Sequence, residues 1–241
     1  MFGNSPTLTL GRLNGIPVRL DATFLFVPLF FLSMVSINRL DEGWPVVLVG
    51  TAGIFFSILA HELGHAFAAK HYQVGVREIV VGGFFGYAHL KRQAVPRKMV
   101  IRILAAGPFA NLAIFFALWT TAALWSSQGS GLGGAAPPFG VPVPSMVETA
   151  RTLAYINLAM FVFNMVPAFP LDGGKILGLL LNRVISERKS LQIVSVLSIA
   201  AGTLMVLLGF GLSLFLSFIG VLVVATNLRR LRRRPASQQR S

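Results

Sequence analysis

Long apolar runs, separated by short polar or glycine-rich stretches, dominate the chain. A helix needs about 20 apolar residues to cross the hydrocarbon core of a bilayer. Six runs approach that length, over residues 22–37, 45–69, 100–125, 149–169, 191–208 and 212–226. The first is short, and the last two predict a tight helical hairpin around Gly209 and Gly211. Two connections carry information. Residues 126–145 are uncharged and rich in Gly, Pro and Ser, which predicts an external loop and not a folded module. Residues 74–90 contain Ile79-Val80-Val81-Gly82-Gly83-Phe84-Phe85-Gly86-Tyr87, strand-prone but too short and glycine-rich to span. Non-helical backbone at membrane depth is tolerated only where protein buries it or it lines a cavity. This segment predicts a re-entrant or interfacial β-hairpin, with an ordinary cytoplasmic hairpin as the alternative. The whole pattern predicts an all-α polytopic membrane protein of about six transmembrane helices plus that small hairpin. One transmembrane domain would fill residues 1–241, with its core at about 45–185 and a basic tail at 228–241.

Composition agrees with this reading. Of 241 residues 54% are hydrophobic and 12% are charged, against about 25% charged in soluble domains. The net charge of +13 would suggest nucleic acid in a soluble chain. In a membrane chain it reports topology, because Lys and Arg hold loops on the cytoplasmic side. With the N-terminus inside, six spans place all 21 basic residues except Arg39 and Arg151 in the cytoplasm. Removing one span would mix the two sides. An integral membrane protein with both termini cytoplasmic is therefore expected. The arginines of the tail, from Arg229 to Arg234, fix that topology or bind anionic lipid. There is no cysteine, which excludes disulfides, iron–sulfur clusters and thiolate-held zinc. Residues 1–20 are only mildly apolar and lack the pattern of a cleavable signal peptide.

Of the eight acidic residues, six sit at span ends or in loops, whereas Glu62 and Asp172 lie in or beside apolar segments. Ionisable groups there are costly to keep and point to function. Glu62 belongs to His61-Glu62-Leu63-Gly64-His65. Positions four apart on a helix share a face, so His61 and His65 can present two imidazoles to one ion. Glu62 is offset by about 100°, where it can act on a water beside the metal without ligating it. Gly64 leaves space for a neighbouring backbone. A catalytic zinc needs a third protein ligand. His71 lies ten residues after His61, but a continuing helix carries it about 15 Å along the axis and off that face. It reads as an interfacial residue, and His89 as a loop residue. Asp172 is the better third ligand. It lies in Asn164-Met165-Val166-Pro167-Ala168-Phe169-Pro170-Leu171-Asp172-Gly173-Gly174, where two prolines break the helix and two glycines permit unusual backbone angles. Asp-Gly is also a common turn dipeptide.

These two motifs resemble those of the site-2 protease family of intramembrane zinc metalloproteases. Ala106-Gly107-Pro108-Phe109-Ala110-Asn111, which opens the third span, is a further likeness. The resemblance implies one zinc per chain held by His61, His65 and Asp172, with Glu62 as general base and acid. It implies that Asn164 holds the substrate backbone or the developing oxyanion. Asn111 takes a polar role near the site or bonds a neighbouring helix. Residues 74–90 would receive an unwound substrate as an added strand. The implied substrate is a membrane-spanning protein, such as an anti-sigma factor or a membrane-bound transcription factor precursor, and the implied location is a bacterial inner membrane. No nucleic-acid partner is expected. The chain resembles a minimal member, without an inserted PDZ domain or a CBS domain. It departs from relatives in having Asp21 where a histidine is frequent, and in the residues around Gly82. The alternative function is a zinc transporter or another metal-binding membrane protein, since intramembrane His and acidic groups also suit ion pathways. A di-iron oxidase would need more ligands than four histidines and two such acids.

Overall fold

The computed structural model describes residues 6–34, 40–83, 86–91, 93–127, 146–212 and 214–232. Most of the expected external loop, the end of the first run and the tail beyond Arg232 lie outside them. The chain divides into two compact units, residues 1–94 with 106–161, and residues 95–105 with 162–241.

The first unit opens with two strands, β1 (Thr7–Leu13) and β2 (Ile16–Asp21). Thr7-Leu8-Thr9-Leu10 alternates as a strand does, and Asn14-Gly15 makes the two-residue turn. Both turn residues have positive φ, 51° and 83°, which Asn and Gly tolerate and which matches the twist of a hairpin. A 3-10 turn at Ala22–Leu25 leads into α1 (Phe26–Met34) and then α2 (Leu40–His71). Strands β3 (Val76–Val81) and β4 (Tyr87–Leu90) follow. The expected hairpin in residues 74–90 is therefore present, with β3 and β4 antiparallel. It is not a separate hairpin, however. β2 pairs parallel with β3, Val18 opposite Ile79 and Leu20 opposite Val81, giving one four-stranded sheet in the order β1-β2-β3-β4. Ile79 and Val81 are fully buried and share a core with Ile16, Phe24, Val27, Ile58 and Ala66. One face of the sheet thus lies on α2, while β1 is exposed throughout.

The remaining elements are α3 (Arg97–Ser127), α4 (Met146–Met165), α5 (Asp172–Leu181), α6 (Glu187–Leu212) and α7 (Leu214–Arg232). Among the described residues each of the six apolar runs coincides with a helix, the first with Phe26–Met34. Among the described residues, three helices are long and apolar enough to cross a membrane: Val47–His71, Arg97–Ser126 and Glu187–Gly211. α4 carries Glu148, Arg151, Asn157 and Asn164, and α7 ends on Arg229, Arg230 and Arg232. α5 was not expected as a separate helix. The interruption over residues 166–171 stops α4, and Asp172 starts a new helix.

Candidate metal centre

His61 and His65 lie one turn apart on α2, and both are buried. Their Nε2 atoms approach to 3.1 Å. Two nitrogens bound tetrahedrally to one zinc at about 2.0–2.1 Å would be about 3.3 Å apart. The pair is therefore already set at the spacing one ion requires.

The tautomer of His61 follows from its neighbours. His61 Nδ1 meets Asn111 Oδ1 at 2.7 Å. Asn111 Nδ2 lies 3.0 Å from the Ser57 carbonyl, which can only accept, so the nitrogen of that amide must face Ser57 and the oxygen His61. Nδ1 then carries the proton and donates, leaving the Nε2 lone pair directed toward His65. Asn111 Nδ2 also donates to Asn157 Oδ1 at 2.9 Å, and Asn157 donates to Ser57 Oγ and the Leu153 carbonyl. Each donor in this network faces an acceptor. Asn157, which sequence reasoning did not single out, belongs to it. Its signal was an amide in an apolar run, whereas Asn111 had entered through the family resemblance of residues 106–111.

Small residues let α3 come this close. A Cβ on Gly64 would lie 2.6 Å from the Ala106 carbonyl, so the space expected beside Gly64 is filled by the backbone of α3. A Cβ on Gly107 would strike the His65 ring and lie 2.9 Å from His61 Nε2. Pro108 follows inside the helix, where it cannot donate to the preceding turn.

Glu62 is also buried. Gly86, just before β4, lies beside it: a Cβ there would be 2.7 Å from Glu62 Oε1. On β4, burial and then the charges of Asp21 and Glu78 push the Tyr87 hydroxyl above its usual pKa, with Arg19 opposing them. Tyr87 therefore stays protonated and is a donor at neutral pH.

In the second unit, Asp172 begins α5 and is buried. A carboxylate in the first turn of a helix is favoured by the helix dipole. Lys175 Nζ holds its Oδ1 at 2.9 Å. Gly173 and Gly174 have no room for a side chain: a Cβ on either would collide with backbone atoms of the 165–169 segment. His61 and His65 in the first unit and Asp172 in the second each offer a buried ligand atom of a kind that holds zinc. Asn164 is half-buried near the end of α4. His71 is the last residue of α2, exposed, with its ring against Tyr72. His89 is exposed on β4 and bonds Glu78.

The family model described as "Peptidase family M50" matches residues 49–152 and 141–209. A zinc metalloprotease of Methanocaldococcus jannaschii is 29% identical over 205 residues, covering 84% of this chain and 54% of that protein. The chain spans about half the length of the curated relatives it matches. A solved site-2 protease from Methanocaldococcus jannaschii superposes with a TM-score of 0.67 at 24% identity, over 96% of this chain and 98% of that one, a likeness of fold. The motif of α2, the interrupted segment before α5 and the glycine of α3 all lie within the matched residues, and the chain belongs to peptidase family M50.

Proposed function

We propose that this chain is an intramembrane zinc metalloendopeptidase that cuts peptide bonds in or near the transmembrane segment of a membrane-anchored substrate. The observation that carries the reading is the paired Nε2 atoms of His61 and His65 at 3.1 Å, with Glu62 buried beside them. His61, His65 and Asp172 would hold zinc. The donor set fits it: two imidazoles and a carboxylate, with a fourth position left for the reaction. Bound there, zinc supplies Lewis-acid polarisation of the scissile carbonyl and lowers the pKa of water toward about 7. Glu62 takes the proton of the attacking water and returns it to the leaving amine. Asn164 donates to the developing oxyanion or to the substrate backbone. Asn111 acts through His61, holding the ring and its tautomer.

A helical substrate must unwind before it is cut, because its carbonyls are already bonded. Among the described residues β4 is an edge of the sheet, and Gly86, just before it, lies beside Glu62. Pairing along β4 would replace the lost hydrogen bonds and bring the extended chain toward the base. We further read the chain as a single protease domain with its catalytic core at residues 45–185, six spans and both termini in the cytoplasm of a bacterial cell. The positions of the basic residues support that arrangement.

A zinc transporter would also use intramembrane histidines, but it has no use for a carboxylate offset from the ligand face. Glu62→Gln in proteoliposomes separates the two. Cleavage of a membrane-spanning substrate should fall by about 10²–10⁴-fold, with zinc content unchanged and no zinc flux in either protein. Cleavage at the wild-type rate would sink the proposed mechanism, and zinc flux that Glu62→Gln abolishes would favour the transporter.

A further inference from the structure

The interrupted segment before Asp172 poses an accounting problem for backbone hydrogen bonds. Pro167 and Pro170 have no N–H to offer. The N–H groups of Val166, Ala168 and Leu171 bond to Phe163, Val166 and Ala168, all within α4 or the segment itself. Phe169 is different, and the partners of its peptide groups come from far along the chain. Its N–H donates to Ser198 Oγ on α6 at 2.7 Å. Its carbonyl accepts from Asn227 Nδ2 on α7 at 2.6 Å.

Both side chains are fully buried in otherwise apolar helices. Both are tethered to their own backbone one turn back, Ser198 to the Val194 carbonyl and Asn227 to the Val223 carbonyl. That second bond fixes each side chain where it meets Phe169. Asn227 Oδ1 has no hydrogen-bond partner among the described residues. A buried amide with an unmet acceptor is unfavourable, so its position is explained by what Nδ2 does. One turn further along α7, the Arg230 guanidinium lies 4.1 Å from the centre of the Phe169 ring. Backbone, carbonyl and ring of one residue are thus gripped by three side chains, three residues before Asp172.

We propose that Ser198 and Asn227 are positioning residues for the metal centre, holding the Phe169 peptide groups and so fixing where Asp172 starts α5. Arg230, part of the basic run that sequence reasoning gave to topology, caps the same residue. The proposal rests on the reading that Asp172 is a zinc ligand. It assigns α6 and α7 a part in the site, although Asn227 and Arg230 lie beyond the residues matched by the family model.

The test measures zinc affinity by chelator competition on the full chain in nanodiscs, together with thermal unfolding of the zinc-free protein. Ser198→Ala and Asn227→Asp, the latter isosteric but unable to donate to the Phe169 carbonyl, should each weaken zinc by about 10–100-fold. Ser198→Thr keeps the hydroxyl and should restore affinity to within about threefold of wild type. Ser195→Ala, equally buried on α6 but not bonded to the segment, should leave affinity unchanged. Zinc-free unfolding should be alike for Ser198→Ala and Ser195→Ala. If Asn227→Asp fails to fold, the Ser198 pair decides. Unchanged zinc affinity in Ser198→Ala, or equal loss in Ser195→Ala, overturns the proposal. Asp172→Ala separates the two layers. If it loses zinc while the Phe169 clamp variants keep it, only the positioning role fails; if it too keeps zinc, the ligand reading falls and the positioning role with it.

Discussion

The histidines and the aspartate of the candidate centre are placed by opposite means. His61 and His65 sit on an uninterrupted helix of 32 residues, where a spacing of four is enough to bring two rings together. Asp172 sits just after a break, where two prolines remove donors and local geometry does not define the chain path. The first half needs clearance, supplied by Gly64 and Gly107, and a fixed His61 tautomer, supplied by Asn111. The second needs outside support, supplied by Ser198 and Asn227. A regular helix therefore sets the spacing of its ligands locally, whereas a broken one depends on residues remote in sequence for the path of the chain itself.

Three single substitutions and one series of proline substitutions test this contrast. The largest effect is expected at Gly107→Val. The added side chain would strike both imidazoles, so zinc should be absent by elemental analysis and cleavage below detection. A variant that still holds zinc would show that clearance is not what the first half needs. Next is Asn111→Leu, which removes the acceptor that fixes the His61 tautomer. Zinc affinity should fall by about 10–100-fold in chelator competition. In the zinc-free protein, the ring-nitrogen NMR shifts of His61 should lose the signature of a single Nδ1–H form. Proline substitutions along Tyr87–Leu90 should lower cleavage of a membrane-spanning substrate several-fold and leave zinc content alone, since they disturb only the edge strand. Unchanged cleavage would argue against strand addition. The smallest effect is expected at Gly15→Ala in the β1–β2 turn, where φ is +83°. A cost of about 1 kcal/mol should appear in thermal unfolding, with zinc binding and specific activity retained.

The same contrast explains how much was legible in the sequence. The helices other than α5, the His61–His65 pair, the space beside Gly64 and the β3–β4 hairpin all follow from local pattern. Asp172 stood out as an acid beside an apolar run. The β1–β2 hairpin was missed although Asn14-Gly15 between alternating segments signals it. Membrane-length apolar runs drew attention away from a short strand pattern. The parallel pairing of β2 with β3 joins residues about sixty positions apart, and nothing local records it. Asn157, Ser198 and Asn227 are buried polar residues in apolar helices, a signal that identifies them as unusual. Their partners, Asn111 and Phe169, emerge only when the chain is folded.

The proposed function requires His61, His65 and Asp172 to bind one ion. X-ray absorption at the zinc edge, on wild type and on Asp172→Ala, tests it most directly. Wild type should show a four-coordinate nitrogen and oxygen shell with the scattering signature of two imidazoles and no sulfur. Asp172→Ala should lose one oxygen ligand or the zinc itself while any zinc retained keeps both imidazoles. A wild-type shell without two imidazoles, or an identical shell in Asp172→Ala, would contradict the claim.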